Sequence, residues 1–124
     1  MAWGRSPVGG SLGGSAMPEY FTTPALLATF RSDKGAKLDL ARGATMLVGL
    51  NCFEPGQSQG VHSHGRADKF YFIISGNARM SVGDAVQDAG PGTMVWAPAG
   101  VPHGVERAHV RTVMLVGIAP PPPA

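Results

Sequence analysis

The chain has 124 residues, which is the size of a single compact domain. It contains 18 Gly and 11 Pro but only 15% charged residues, a balance that predicts many turns and few surface helices. Ten Lys and Arg against eight Asp and Glu give a net charge of +2, and these residues are scattered, so we expect no nucleic-acid partner.

The N-terminal segment differs in composition from the rest of the chain. Residues 1–16 are rich in Gly and Ser, so we expect a flexible segment there and a single domain over 17–124. No stretch reaches the roughly 18 apolar residues of a membrane span, and the chain start lacks the apolar core of a signal peptide. One cysteine, Cys52, cannot form an internal disulfide. We therefore expect a cytoplasmic protein without membrane contact.

From residue 25 onward, short apolar runs alternate with turn residues, a pattern typical of an all-β sandwich or barrel. The first run, ALLATF at 25–30, fits either a helical turn or an edge strand that pairs with a second subunit. The proline run that starts at Pro120 should end the last strand near Ile118, because proline donates no backbone hydrogen bond. Gly, Pro, Asp and Asn turns separate the predicted strands, which are 44–53, 69–75, 78–82, 93–97, 103–107 and 110–118.

His62 and His64 are two residues apart, so on an extended backbone their imidazoles point the same way and can reach one ion. Imidazole is a common ligand of transition metals, but a His-x-His pair also occurs by chance on loops. The surrounding frame is more specific. It reads Gly56, five residues, the two histidines, four residues, Lys69, six residues and Gly76.

A second frame follows after fifteen residues. It reads Gly92, five residues, Pro98-x-Gly100, two residues, His103, three residues and Arg107. Together the two frames resemble the two motifs of the cupin superfamily over positions 56–107. The resemblance implies a double-stranded β-helix, the jelly-roll barrel of small single-domain cupins, and a homodimer.

The resemblance also implies one divalent metal ion held by His62, His64 and His103. Where the first cupin motif usually has Glu, this chain has Lys69, and the spacing to Gly76 predicts that Lys69 points inward rather than Asp68. Asp68 stays a fallback fourth ligand if the loop after His64 rearranges. An ammonium group cannot bind a cation, so the metal site and Lys69 need a joint explanation.

Three hypotheses account for Lys69. In the one we favour, its long side chain carries the charge away to Asp68, Glu54 or solvent, and three histidines with water bind the metal. In the second, burial lowers the pKa of Lys69, which then acts in catalysis as a base or amine nucleophile. In the third, the metal site is lost and the barrel binds an organic ligand directly.

Three neutral histidines leave the ion its full charge, which favours a small anionic or enolizable substrate. The set resembles that of acetylacetone-type and cysteine-type dioxygenases within the cupins, which favours Fe(II), although Mn, Ni, Zn or Cu also suits three imidazoles. The expected function is therefore an oxygenase-like metalloenzyme. Alternatives are a non-redox metal-dependent lyase or isomerase and a non-catalytic ligand-binding or sensing module. Tyr71 and Trp96 are candidate pocket-lining residues, and His109 is expected at the surface.

Overall fold

Two antiparallel sheets make up the architecture of this computed structural model, which describes residues 2–3, 20–63 and 65–123. A single helical turn, α1 (Pro24–Leu27), precedes most of the strands. In these described residues the strands are β1 (Ala2–Trp3), β2 (Ala36–Arg42), β3 (Leu47–Phe53), β4 (Gln59–His62), β5 (Asp68–Ser75), β6 (Ala78–Val82), β7 (Ala85–Ala89), β8 (Met94–Ala97), β9 (His103–Ala108) and β10 (Thr112–Ala119).

The strand order is that of a jelly roll. The larger sheet runs β1-β2-β3-β10-β5-β8, and the smaller sheet runs β4-β9-β6-β7. Strands far apart in sequence are neighbours, as in the pairing of β10 with both β3 and β5. The predicted all-β double-stranded β-helix is confirmed.

The six predicted strands are all present, and the structure adds four more. β2, β4 and β7 are strands that the apolar pattern did not indicate. β1 lies inside the segment expected to be flexible, where residues 2 and 3 pair with Ala41 and Arg42; residues 4–19 lie outside the described part of the chain. β10 ends at Ala119, one residue beyond the predicted end.

The apolar residues form two separate cores on opposite faces of the larger sheet. The inner core fills the barrel and includes Phe53, Tyr71, Ile73, Met80 and Met114. The outer core lies on the other face, because successive side chains of a strand alternate between the two sides. Its buried members are Ala36, Leu40, Leu50, Cys52 and Val113.

The segment at 25–30 covers the outer core. It forms the helical turn α1 rather than an edge strand, and its Leu27 and Phe30 pack on the outer core. The Arg111 guanidinium lies 4.1 Å from the centroid of the Phe30 ring and also donates two hydrogen bonds to the Glu54 carboxylate. Cys52 is buried beneath this segment, as a small apolar residue would be, and burial raises the pKa of its thiol. In the described residues, no helix is long and apolar enough to cross a membrane.

A glycine turn fixes the end of β5. Gly76 has a φ of +92°, and a Cβ at this position would overlap the carbonyl oxygen of Arg111 and the backbone of Thr112. Only glycine combines this backbone conformation with so close an approach. Thr112 then accepts a hydrogen bond from the Asn77 backbone N–H at 3.1 Å, which fixes the turn against β10. Gly76 therefore fixes the end of β5, and beyond a one-residue shift at Ile74 the regular pairing of β5 with β10 places Lys69 opposite Ile118.

Candidate metal and ligand site

His62 and His103 are placed side by side by the pairing of β4 with β9. The two residues are direct cross-strand partners, and their ring centroids lie 4.5 Å apart with the ring planes at 61°. Directly opposed residues of an antiparallel pair project from the same face, which explains the contact. His103 is buried and His62 is half-buried, so the pair spans the barrel interior and its opening.

Backbone carbonyls orient both rings. His62 Nδ1 lies 2.8 Å from the carbonyl oxygen of Gly60, and His103 Nδ1 lies 2.9 Å from that of Val101. A carbonyl oxygen only accepts, so each Nδ1 carries the hydrogen and the lone pair of the neutral ring is on Nε2. Histidines that ligate metals through Nε2 are commonly oriented in this way.

The surroundings of His103 favour its neutral form. Burial lowers the pKa of its imidazole, and the positive charges of His62 and Lys69 lower it further, while the hydrogen bond to Val101 acts in the opposite direction. A neutral imidazole is the form that binds a metal.

The third predicted ligand, His64, lies outside the described residues. Over 20–63 and 65–123, no group of three His, Cys, Asp or Glu side chains gathers in a way that could hold a metal ion. The structure therefore brings two of the three predicted ligands together.

Lys69 points into the barrel, as its spacing to Gly76 predicts. Its side chain is only 3% exposed, and its Nζ lies 4.6 Å from the centroid of the Tyr71 ring. Burial lowers the pKa of Lys69 to about 8, and the positive charge of Lys37 contributes to the same shift. The hypothesis that the ammonium swings out to solvent or to an acidic neighbour is wrong.

Both acidic neighbours are engaged elsewhere. The Glu54 carboxylate accepts hydrogen bonds from Arg111 at 2.8 and 2.9 Å, and this pair holds the pKa of Glu54 below its usual range. Asp68 is exposed on the opposite face of β5 from Lys69, and its Oδ1 accepts a hydrogen bond from the Ala99 backbone N–H at 2.9 Å. The structure therefore gives no support to Asp68 as a fallback ligand.

Tyr71 and Trp96, the two predicted pocket-lining residues, lie in different environments. Tyr71 is fully buried, its ring meets His103 edge-on at 6.2 Å, and its hydroxyl donates a hydrogen bond to Gln59 Oε1 at 2.8 Å. Burial raises the pKa of this phenol. Trp96 is 50% exposed and lines a second cavity with Met80 and Met94, away from Lys69. Tyr71 therefore packs against the site residues Lys69 and His103, whereas Trp96 is not part of the site.

A cavity of about 420 Å³ opens beside Lys69 and His62. Asn51 and Gln59 also line it, and neither was predicted from the sequence. Asn51 is only 5% exposed, and in the described part of the chain its Nδ2 has no hydrogen-bond partner. One signal was available, because Asn51 is a polar residue within the apolar run LVGLNCF. The remaining lining residues are Lys37, Leu38, Asp39, Arg42, Leu47, Gly49, Leu50, Val116, Ile118 and Pro122.

Two sheets rolled into a barrel, with inward histidines on adjacent strands, define a double-stranded β-helix protein of the cupin type. A family model described as "Cupin domain" matches residues 49–118, which is more than half of the chain. The chain belongs to the cupin family.

Its relatives include proteins from three bacteria. An uncharacterized protein of Streptomyces coelicolor is 32% identical over 101 residues, covering 82% of this chain and 95% of the relative. The crystal structure of TT1209 from Thermus thermophilus matches with a TM-score of 0.79 and 36% identity, over 82% of this chain and 98% of that one. An RmlC-like cupin from Desulfovibrio desulfuricans matches with a TM-score of 0.70 and 30% identity, over 77% and 91%.

Proposed function

We propose that this cupin holds one divalent transition metal ion with His62, His64 and His103 and acts on a small organic anion bound beside it. The observation that carries the proposal is the matched orientation of the two described histidines. Both rings have Nδ1 fixed by a backbone carbonyl, and their centroids are 4.5 Å apart. Histidines that are close together by chance would not be expected to share this ring orientation, so the arrangement supports a common ligand.

The donor chemistry fits a transition metal. His62 and His103 offer imidazole nitrogens on adjacent strands, and the lowered pKa of His103 keeps its ring in the ligating form. Three imidazoles suit Fe(II), which we favour, and also Mn, Ni, Zn or Cu. When bound, such an ion supplies Lewis-acid activation of a coordinated oxygen and a template for the substrate.

The residues around the histidines would bind and orient the substrate. Lys69 places a buried positive charge in the same cavity as His62, where it attracts an anion and stabilises negative charge that develops during a reaction. Tyr71 packs under Lys69 and holds Gln59 at the cavity wall by its hydrogen bond. The favoured activity is oxygenase-like, and a non-redox lyase or isomerase uses the same parts.

One observation favours a second candidate function, a non-catalytic ligand-binding module. Lys69 occupies the inward position where a metal-binding carboxylate is expected, and its charge repels a cation. In that function the barrel binds the anion without a metal. Metal content distinguishes the two candidates.

The test is metal analysis of the full chain purified without a histidine tag, by inductively coupled plasma mass spectrometry. We expect a stoichiometric transition metal that is lost in His62→Ala, His64→Ala and His103→Ala. His109→Ala is the matched control, because His109 is exposed and pairs with Asp88, outside the histidine positions of both motifs. Circular dichroism and thermal melting of each variant distinguish loss of ligand from loss of fold.

Two results would overturn the proposal. The first is the absence of metal after anaerobic purification with added Fe(II). The second is metal content that falls as much in His109→Ala as in the three motif variants. Activity screening with small organic acids in oxygenated buffer then separates the oxygenase from the lyase or isomerase, because only the former consumes O₂.

A further inference from the structure

Two buried residues that line the same cavity, Lys69 and Asn51, carry hydrogen-bond donors with no acceptor in the described part of the chain. Lys69 is 3% exposed, and its ammonium contacts the Tyr71 ring face rather than a carboxylate. Asn51 is 5% exposed, and its Nδ2 lacks a partner. Buried polar groups in folded proteins are nearly always paired, and buried charges even more so. Such a pair of donors indicates an acceptor that the protein itself does not supply.

From this arrangement we infer that Lys69 and Asn51 form a subsite for the carboxylate of a small organic acid. The inference rests on the proposed function, because it names the chemical class of the molecule bound beside the histidines. A carboxylate has two oxygens and one negative charge. One ammonium and one amide N–H match them in number and in charge.

The charges around the cavity support an anion. Lys37 and Arg42 line the cavity in addition to Lys69, against the single carboxylate of Asp39. Asp39 and Lys37 are both exposed at the rim, where water screens them. Lys69 is the buried charge, and no acidic side chain of the described residues forms an ion pair with it.

The same contacts favour a monocarboxylate over a phosphate. Phosphate sites usually present a guanidinium fork or several backbone N–H groups. Arg42, the guanidinium that lines this cavity, donates from Nη1 to the carbonyl oxygen of Pro122 at 2.8 Å, so it could present both Nη groups to a phosphate only by breaking that bond. The cavity of about 420 Å³ suits a molecule of modest size, with its carboxylate at Lys69 and its other end toward His62.

The experiment uses the full chain, treated with chelator so that the result does not depend on a metal. Lactate and benzoate are titrated by ¹H–¹⁵N NMR, each against its neutral amide, and inorganic phosphate serves as a second anion. We expect saturable binding of at least one carboxylate, with shifts of the Asn51 side-chain amide. Its neutral amide should bind at least tenfold more weakly.

Two variants locate the site. Lys69→Met keeps most of the length of the side chain and removes the charge, and Asn51→Leu keeps its size and removes the amide. Each should weaken carboxylate binding at least tenfold. Arg79→Met is the charge control, because Arg79 is an exposed cation on β6 that does not line the cavity, and the substitution removes one positive charge as Lys69→Met does.

Each contrary outcome overturns the inference. It falls if neither carboxylate binds, if the neutral amides bind as well as the acids, if phosphate binds more tightly, or if Arg79→Met weakens binding as much as Lys69→Met. The outcome is independent of metal content. Carboxylate binding that persists in a protein shown to take up no metal would leave this subsite standing while the proposed metal function fails.

Discussion

The Lys69 ammonium lies 4.6 Å above the centre of the Tyr71 ring, and the hydroxyl of that same ring donates to Gln59. The buried Tyr71 therefore contacts a positive charge with its ring face and holds the cavity residue Gln59 with its hydroxyl. A ring face attracts a cation, but it does not replace the hydration that burial removes. The ammonium is held in place at a cost to stability.

We predict that Lys69→Met stabilises the protein at neutral pH. The folded-state pKa of Lys69 is lowered from 10.5 to about 8, so the unfolded chain binds more protons between these two pH values. Stability should therefore rise with pH across this window in the native protein, and the penalty is fully present below it. At pH 7 the substitution should raise the free energy of unfolding by up to about 3 kcal/mol.

Urea denaturation between pH 7 and pH 10.5 measures this effect. The increase in the free energy of unfolding with pH should be smaller in Lys69→Met than in the native protein. In Lys34→Met it should be the same as in the native protein. Parallel pH profiles for native protein and Lys69→Met would contradict the prediction.

A second prediction concerns Lys69→Glu. The substitution puts a carboxylate where the cupin resemblance expects one and removes a repulsive charge, so the affinity for a divalent metal should rise at least tenfold. The same variant should lose binding of lactate and benzoate, because it replaces an attractive charge with a repulsive one. Competition with a metallochromic chelator measures the first effect and NMR titration the second. Loss of metal affinity in Lys69→Glu would instead mean that Lys69 supports the native metal site.

The hydrogen bond between Tyr71 and Gln59 leads to a third prediction. Tyr71→Phe keeps the buried ring and removes the hydroxyl, so the Gln59 amide oxygen loses its donor at 2.8 Å. We expect a loss of about 1 kcal/mol in the free energy of unfolding. A double-mutant cycle with Gln59→Met, followed by urea denaturation, isolates the pairwise energy. Additive effects of the two substitutions would show that the bond contributes nothing.

Gly76 and Gly92 provide a matched pair for a fourth prediction. Their φ angles are similar, +92° and +86°, but an added Cβ meets backbone atoms of Arg111 and Thr112 at Gly76 and nothing within 4 Å at Gly92. Gly92→Ala should cost only the backbone strain, about 1–2 kcal/mol. Gly76→Ala should cost more, because a steric overlap adds to the same strain. Thermal melting of both variants tests this order, and equal losses would contradict it.

Apolar runs predicted strands whose side chains are mostly apolar, whether buried as in β10 or largely exposed as in β8, and they failed for strands whose side chains are polar. β10 is buried along most of its length, and its sequence TVMLVGIA is an apolar run that indicates a strand. β2 reads AKLDLAR, in which apolar and charged residues alternate, and β7 reads AVQDA, whose first four residues are exposed, so neither strand contains a continuous apolar run. β4 has only four residues, of which two are Gly and Gln, and only its pairing with β9 makes it a strand.

The site was predictable where its residues share a motif. Spacing within the two frames indicated His62, His103 and the inward direction of Lys69. Asn51 and Gln59 come from β3 and β4, and their approach to Lys69 depends on how the two sheets close, which no local pattern states. The prediction that the Lys69 ammonium reaches an acidic neighbour failed for a related reason. Glu54 is paired with Arg111, which is 57 residues away in the sequence, and no local pattern indicates that contact.

The candidate site is divided between the two sheets. His62 and His103 belong to the four-stranded sheet, whereas Lys69 and Asn51 belong to the six-stranded one. A ligand that contacts both groups of residues therefore links the two sheets of the barrel. Ligand binding should reduce local opening between the two sheets. Backbone amide hydrogen exchange should then slow in both β4 and β5, one strand from each sheet.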